Sequence, residues 1–370
     1  MAVRRKKVRY AVVGLGHIAQ AAVLPAFAHA ENSELTAIVS DDPQKRRELA
    51  EKYNVERAVD YDDLEDLFER RDVDAVYIAL PNHMHHEYVI RAANAGMHVL
   101  CEKPLGVTTT ECDEMISAAD AAGVKLMTAY RLHFEKANLK AIEIVKTGQV
   151  GEPRLFDSVF TMQVKPDNVR LDAASGGGTL YDIGIYCINA ARSLFRDEPD
   201  AVQAWSVRGD DPRFKEVDEA TAAVLHFPGE RLASFLCSFG AASVGHYQIV
   251  GTTGDLRLDP AYEYVGPLKH FLTIEGKKTT RTFRARDQFA PELIYFSNCI
   301  LRNKTPEPSG VEGLADVRVI EALYQSTPTG ERILLPPFER KMHPEPHQEI
   351  SRPKVKEPEL VNVASPTQDS

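Results

Sequence analysis

The chain has 370 residues, with 44 Lys and Arg against 54 Asp and Glu, a formal net charge of −10. Such a charge opposes polyanions and argues against a nucleic-acid-binding role. Hydrophobic residues make up 44% and charged residues 26%, which excludes a largely disordered or low-complexity chain. No apolar run approaches the roughly 20 residues that cross a bilayer, and at roughly 150 residues per domain the length points to two domains.

The N-terminus carries a basic patch, Arg4, Arg5, Lys6 and Lys7. A twin-arginine signal is a poor match, because the apolar stretch behind it is too short and runs into Gly14 instead of a cleavage site. Five cysteines (Cys101, Cys112, Cys187, Cys237, Cys299) without a CxxC pair fit reduced thiols and a cytoplasmic location.

From Val8 to about Ala129 short apolar runs alternate with amphipathic stretches, the pattern of βαβ units on a doubly wound parallel sheet. The expected strands are Val8 to Val13, Leu35 to Val39, Ala75 to Leu80, His98 to Cys101 and Lys125 to Ala129. Helices are expected at Pro43 to Lys52, His85 to Ala95 and Thr110 to Ala122. After a helix at Glu135 to Thr147, the turn-rich break at Gly148 to Pro153 introduces β-type segments with one helix near Thr179 to Ser193. Strands that follow one another without helices imply a mostly antiparallel, open-faced sheet in an α+β domain. Helices at Gln288 to Arg302 and Gly310 to Ser326 close the fold. The division expected is residues 1–130, a dinucleotide-binding domain; 131–338, a substrate and oligomerisation domain; and 339–370, a Pro-rich tail, extended or disordered, with a docking arm as the alternative.

Gly14, Gly16 and Ala19 occupy the G-x-G-x-x-G/A positions between the first strand and a helix. The first glycine permits the turn, the second lets a pyrophosphate approach, and the helix N-terminus, with His17 and Ile18, receives the phosphates. At the end of the second strand, Ser40 with Lys45 or Arg46 would accept a ribose 2′-phosphate and favour NADP, whereas Asp41 would favour NAD; the lean is toward NADP. Leu80, Pro81, Asn82 and His85 follow one strand end and Glu102, Lys103 and Pro104 the next, where ligands of open α/β sheets sit. His83, His85 and His86 lack the companion ligands of a zinc site, so no metal is expected.

Together, Gly14 to Ala19, Pro81-Asn82 with His85, Glu102-Lys103-Pro104, Tyr130 to Phe134, Gly176 to Tyr186, Gly251 to Leu256 and Asp287 to Glu292 resemble the glucose-fructose oxidoreductase / inositol dehydrogenase (Gfo/Idh/MocA) family. The resemblance is greatest to the glucose-fructose oxidoreductase branch, which has Tyr at the position of Tyr186 and a Ser followed five residues later by Lys, as at Ser40 and Lys45. It implies NADP, a cis bond before Pro104 and oligomers through the second-domain sheet. Asp41 departs from the Gly usual in that branch.

The residues also make chemical sense alone. Asp182 and Tyr186, spaced i, i+4, share a helix face. A phenol is a poor base at neutral pH, and an ammonium such as Lys103 beside it stabilises the phenolate. Tyr186 is then the expected proton carrier, Lys103 polarises the sugar oxygen, and Asp182 orients the pair or binds substrate. Tyr130 and His133 are expected to line the sugar site, and Arg131 the nicotinamide. The expected activity is hydride transfer between NADP and a sugar or polyol. The alternatives are an NAD-dependent inositol or dihydrodiol dehydrogenase and a non-catalytic dinucleotide sensor.

Overall fold

A computed structural model of the protein describes residues 7–368; of the basic patch, Arg4, Arg5 and Lys6 lie outside the described residues. The first sheet contains β1 (Val8–Val13), β2 (Ser33–Val39), β3 (Arg57–Val59), β4 (Ala75–Ile78), β5 (His98–Glu102) and β6 (Leu126–Ala129). All neighbours are parallel, in the order β3-β2-β1-β4-β5-β6. That is the doubly wound dinucleotide-binding order, with its crevice where the winding reverses between β1 and β4. The inner strands β1, β4 and β5 are apolar and almost wholly buried, as strands covered on both faces must be. The three-residue β3 has no apolar run to announce it.

The second sheet has nine strands: β7 (Pro153–Gln163), β8 (Ala201–Val207), β9 (Ala220–Phe227), β10 (Arg231–Ser238), β11 (Gly240–Gly251), β12 (Gly254–Leu258), β13 (Leu268–Ile274), β14 (Lys277–Phe283) and β15 (Ile333–Leu334). Every neighbouring pair is antiparallel except β10 with β7. Alternation decides which face is covered: on β10, Ala233, Phe235 and Cys237 are buried while Leu232 and Leu236 face out. The buried face packs on the helices Lys136–Lys146 and Ile185–Phe195. The protein is therefore α/β, a parallel Rossmann-type sheet followed by an α+β domain with a large, mostly antiparallel sheet.

Sequence order and spatial order part near the end of the chain. The helix Ala290–Leu301 sends Leu293 and Phe296 into the first sheet's core with Tyr10 and Tyr77. The helix Gly310–Ser326 touches both domains, Val317 in the first and Leu323 in the second. Residues 339–368 follow an extended path interrupted by a 3-10 turn (Pro346–Gln348) and are anchored at several points. Both Nη1 contacts of Arg340 to the buried Glu312 carboxylate are short, 2.7 and 2.8 Å, and Gln348 Nε2 donates to Glu307 Oε2 at 2.7 Å.

Candidate active site

The glycine turn follows β1 directly. Gly14 has φ +93°, and a Cβ there would meet the Ala79 carbonyl oxygen at 2.5 Å, so the close approach to the end of β4 requires glycine. At Gly16 a Cβ would meet nothing within 4 Å; that open space in front of the helix N-terminus is the cradle a pyrophosphate needs. Burial, together with nearby Arg170 and Lys165, pushes the His17 imidazole below its ordinary pKa. Two cations of the second domain thus face the turn where an anion would lie. Ile18 packs on the first domain's apolar cluster.

Ser40, directly after β2, is almost fully buried, its Oγ accepting from Asp42 N at 3.2 Å. Asp42 caps the helix Pro43–Tyr53 by accepting from the backbone N–H of Gln44 and Lys45. Lys45 Nζ lies 4.0 Å from Asp42 Oδ2 beside this loop, whereas Arg46 is committed to the Ser40 carbonyl and the Asp60 carboxylate. Of the two cations the sequence offered, Lys45 is the one placed to meet a ribose phosphate. These features fit a bound dinucleotide.

The loop after β4 is braced rather than open. Leu80 and Pro81 lead into Asn82, whose Nδ2 donates to the Gly176 carbonyl at 2.8 Å. His85, expected to meet the cofactor, is fully buried: Nδ1 lies 2.8 Å from the Pro104 carbonyl oxygen and Nε2 3.0 Å from that of Leu80. Burial keeps the imidazole below its ordinary pKa, so its single N–H donates to one of these two carbonyls, and the ring sits between the ends of β4 and β5. His86 pairs with Glu114 at 2.6 Å on the surface.

Glu102 closes β5, accepting from Tyr77 Oη at 2.8 Å and from Lys103 N at 3.2 Å. The Lys103–Pro104 peptide is cis. Lys103 Nζ donates to the Asp182 carbonyl oxygen at 2.7 Å and to its Oδ1 at 3.1 Å, and it lies 4.9 Å from the centre of the Tyr186 ring. Burial favours the neutral amine, but the Asp182 carboxylate, together with Tyr186 and Glu102, holds Lys103 above its ordinary pKa. Burial likewise opposes ionisation of Asp182, yet Arg170 and Lys103 hold it well below the usual carboxylate range.

Asp182 lies in a wider π-type turn (Leu180–Gly184) that opens the helix, and Tyr186 follows on its α-helical continuation, Ile185–Phe195. Such turns interrupt α-helices frequently at functional sites. Arg131 sits over the Tyr186 ring at 5.1 Å and over Tyr264 at 5.4 Å, fixed by the Tyr262 carbonyl at 2.6 Å and by Gln288.

The structure thus brings Lys103, Asp182, Tyr186 and Arg131 together at the carboxyl end of the first sheet. It also adds residues that no motif announced. Arg170 Nε donates to Asp182 Oδ2 at 2.6 Å, and Tyr264 backs Arg131. Arg170 lies in a single 3-10 turn (Val169–Leu171) and Tyr264 in a loop, where no periodicity marks a residue.

Tyr130 and His133 are placed differently from expectation. Their rings stack at 5.3 Å on the wall of a cavity beside Tyr186, but their polar atoms point away from it. His133 Nε2 lies 2.8 Å from Asn189 Oδ1 and Nδ1 3.1 Å from Glu307 Oε1. Burial and the Asp316 charge push the Tyr130 phenol far up. They support a buried charge cluster behind the site.

A parallel sheet with a glycine turn, a lysine at a neighbouring strand end and a tyrosine from a second α+β domain defines a dinucleotide-dependent oxidoreductase. The family profile described as an oxidoreductase family with an NAD-binding Rossmann fold matches residues 8–130, and the Gfo/Idh/MocA C-terminal domain profile matches residues 138–257. The chain belongs to the Gfo/Idh/MocA family. It is 33% identical over 336 residues to an NADP-linked D-xylose 1-dehydrogenase of Haloarcula marismortui, covering 89% of this chain and 93% of that protein. The crystal structure of an aldose-aldose oxidoreductase from Caulobacter crescentus complexed with glycerol superposes with a TM-score of 0.86 at 37% identity, over 89% of this chain and all of the other. A 3-ketoreductase from Actinomadura kijaniata in complex with NADP and TDP-benzene gives 0.80 at 28% identity, over 87% and 98% of the chains.

Proposed function

We propose that the protein is a cytoplasmic NADP-dependent oxidoreductase that moves a hydride between nicotinamide and a sugar C–OH or C=O, with Lys103, Asp182 and Tyr186 as its catalytic residues. One observation carries this reading: Lys103 Nζ, anchored on Asp182, lies 4.9 Å from the Tyr186 ring centre. This group stands at the carboxyl end of the sheet that also carries the glycine turn. The relatives named as acting on xylose and aldoses support a pyranose or polyol substrate.

The bound nicotinamide supplies the hydride acceptor or donor. Tyr186 carries the proton at its phenol oxygen, accepting it from the reacting hydroxyl in oxidation and returning it in reduction. Lys103 donates from Nζ to the reacting oxygen and stabilises charge that develops there. Asp182 positions Lys103 through both of its acceptors, while Arg170 holds its other oxygen. Arg131 also packs against the tyrosine ring. Gly14, Gly16, His17 and Ile18 hold the pyrophosphate, Ser40 and Lys45 the ribose phosphate, and Leu80, Pro81, Asn82 and Glu102 line the nicotinamide side.

Residues 1–130 bind the dinucleotide and 131–338 supply the substrate side and the oligomer interface, with the helix Ala290–Leu301 returning to pack on the first sheet. Leu155, Trp205, Val207, Leu232 and Leu236 are exposed on the outer sheet face. A patch of this kind favours a homodimer or homotetramer through the sheet. All five cysteines are free and buried, in keeping with a reducing compartment. The test is NADP reduction across pentoses, hexoses and inositols, with NAD in parallel. Reduction of NAD with inositol alone would refute the sugar and NADP reading.

A further inference from the structure

The C-terminal arm touches the elements that frame the expected dinucleotide groove. Val361 N donates to Gln20 Oε1 at 2.7 Å, and Gln20 Nε2 donates back to the Val361 carbonyl at 3.0 Å and to the Leu15 carbonyl of the glycine turn at 2.9 Å. One residue later, Asn362 Nδ2 donates to Asp42 Oδ2 at 2.6 Å, at the N-cap of the helix that begins beside Ser40 and Lys45. Asn362 adopts φ +47°, a left-handed conformation that asparagine tolerates better than most residues.

The arm then leaves the first domain. Lys165 N donates to the Pro366 carbonyl at 3.0 Å, and Gln368 N donates to the Gln163 carbonyl at 3.0 Å, both at the end of β7 in the second domain. The step from Asn362 to Pro366 is four residues, which can span at most about 14 Å. Those residues therefore bridge the two domains on the side of the groove where Ser40, Asp41 and Lys45 would read the ribose. Gln163 to Lys165 also leads into the loop that carries Arg170, the partner of Asp182.

We propose that residues 355–368 form an intramolecular strap over the adenosine end of the dinucleotide groove, and that the strap must detach for the nucleotide to leave. The inference rests on the NADP reading above. The root of the arm is anchored separately by Arg340 on Glu312, Gln348 on Glu307 and Arg352 on Glu31. The strap can therefore open without undocking the rest of the arm. In the closed state Val361, like Ile18, packs on the first domain's apolar cluster. A strap closed about ten times more often than open slows release about tenfold.

The experiment measures NADPH release by stopped-flow fluorescence, chasing with excess NADP, for the full chain, for a chain ending at Lys354 and for Asn362→Asp. The shortened chain keeps Arg340, Gln348 and Arg352. Asn362→Asp sets a second carboxylate against Asp42 without shortening the arm. Release about tenfold faster in both variants is the expected result. Release at the full-chain rate in both would overturn the strap while leaving the NADP reading intact. A full chain that binds no NADPH would overturn the NADP reading and the strap with it.

Discussion

Lys103 Nζ donates to Asp182 twice, to the backbone carbonyl at 2.7 Å and to Oδ1 at 3.1 Å. The two acceptors belong to one residue on a π-type turn of the second domain, and the donor follows a strand of the first. The pair therefore sets the lysine head in place and clamps the domains at the point where the reaction is proposed. Arg170 donates to the other carboxylate oxygen, so Asp182 stands between two cations.

Asp182→Asn removes the main charge that holds Lys103 above its ordinary pKa, leaving burial to push the amine down. The basic limb of the activity profile should move to lower pH and kcat should fall at least tenfold. Asp182 has a depressed pKa when folded, so its contribution to stability is present above the unfolded value of 3.8 and is lost as pH falls below it. Urea unfolding at pH 7 should show a loss of about 2 kcal/mol in the variant, shrinking in acid. An unchanged pH profile would refute this role.

Glu292 is fully buried on the helix Ala290–Leu301, and neither carboxyl oxygen has a hydrogen-bond partner among the described residues. Burial, with the Glu102 charge adding to it, pushes its pKa well above the ordinary 4.5. The folded state therefore holds a proton that the unfolded chain releases, and stability declines as pH rises from about 4.5 toward the folded value. Glu292→Gln should raise the Tm at pH 8 and leave it nearly unchanged at pH 4. Equal Tm shifts at both pH values would contradict the assignment.

Arg340 donates to both oxygens of Glu312 and also approaches Glu198 at 3.3 Å, in a cluster that includes the fully buried Arg192 and Asp316. Removing one partner from a buried charge group is costly, because the other is left uncompensated. Arg340→Ala should lower unfolding free energy by about 3 kcal/mol in urea titrations, with Arg340→Lys recovering part of it. No change would mean that the arm root is not a structural anchor.

The parallel sheet and glycine turn were legible because their signals are local: apolar runs of strand length, and glycines whose backbone needs are steric. Val8 to Val13 and Gly310 to Ser326 match the observed elements end to end. The strands at the two ends of the second sheet, β13 with the edge strand β14 and β8 with the edge strand β15, were not legible. β14, for example, reads Lys277-Lys278-Thr279-Thr280 and is exposed along nearly its whole length, so pairing alone makes it a strand. Lys103, Asp182 and Tyr186 could be grouped from sequence because strand-end placement and helix spacing constrain them. Arg170 and the inward turn of His133 toward Glu307 depend on contacts 12 and 174 positions away along the chain, which no local pattern encodes.

In the proposed reading, Lys45 and Asp41 set the preference for NADP. Lys45→Ala should weaken NADP binding about tenfold and leave NAD binding unchanged. Asp41→Gly should strengthen NADP relative to NAD by removing a carboxylate that opposes the phosphate. Isothermal titration with both nucleotides checks both outcomes, and equal losses for NADP and NAD in Lys45→Ala would remove this lysine from the phosphate site.

The most direct test of the reaction is the kcat of Tyr186→Phe with NADP and the best sugar of the panel, measured beside the NADP Kd of the same variant. The phenol oxygen is the only atom removed, and proposed proton transfer through it is worth about 10²–10⁴ in rate. The expected kcat is lower by that factor, with the Kd within about threefold of wild type. Turnover at the wild-type rate would contradict Tyr186 as the proton carrier.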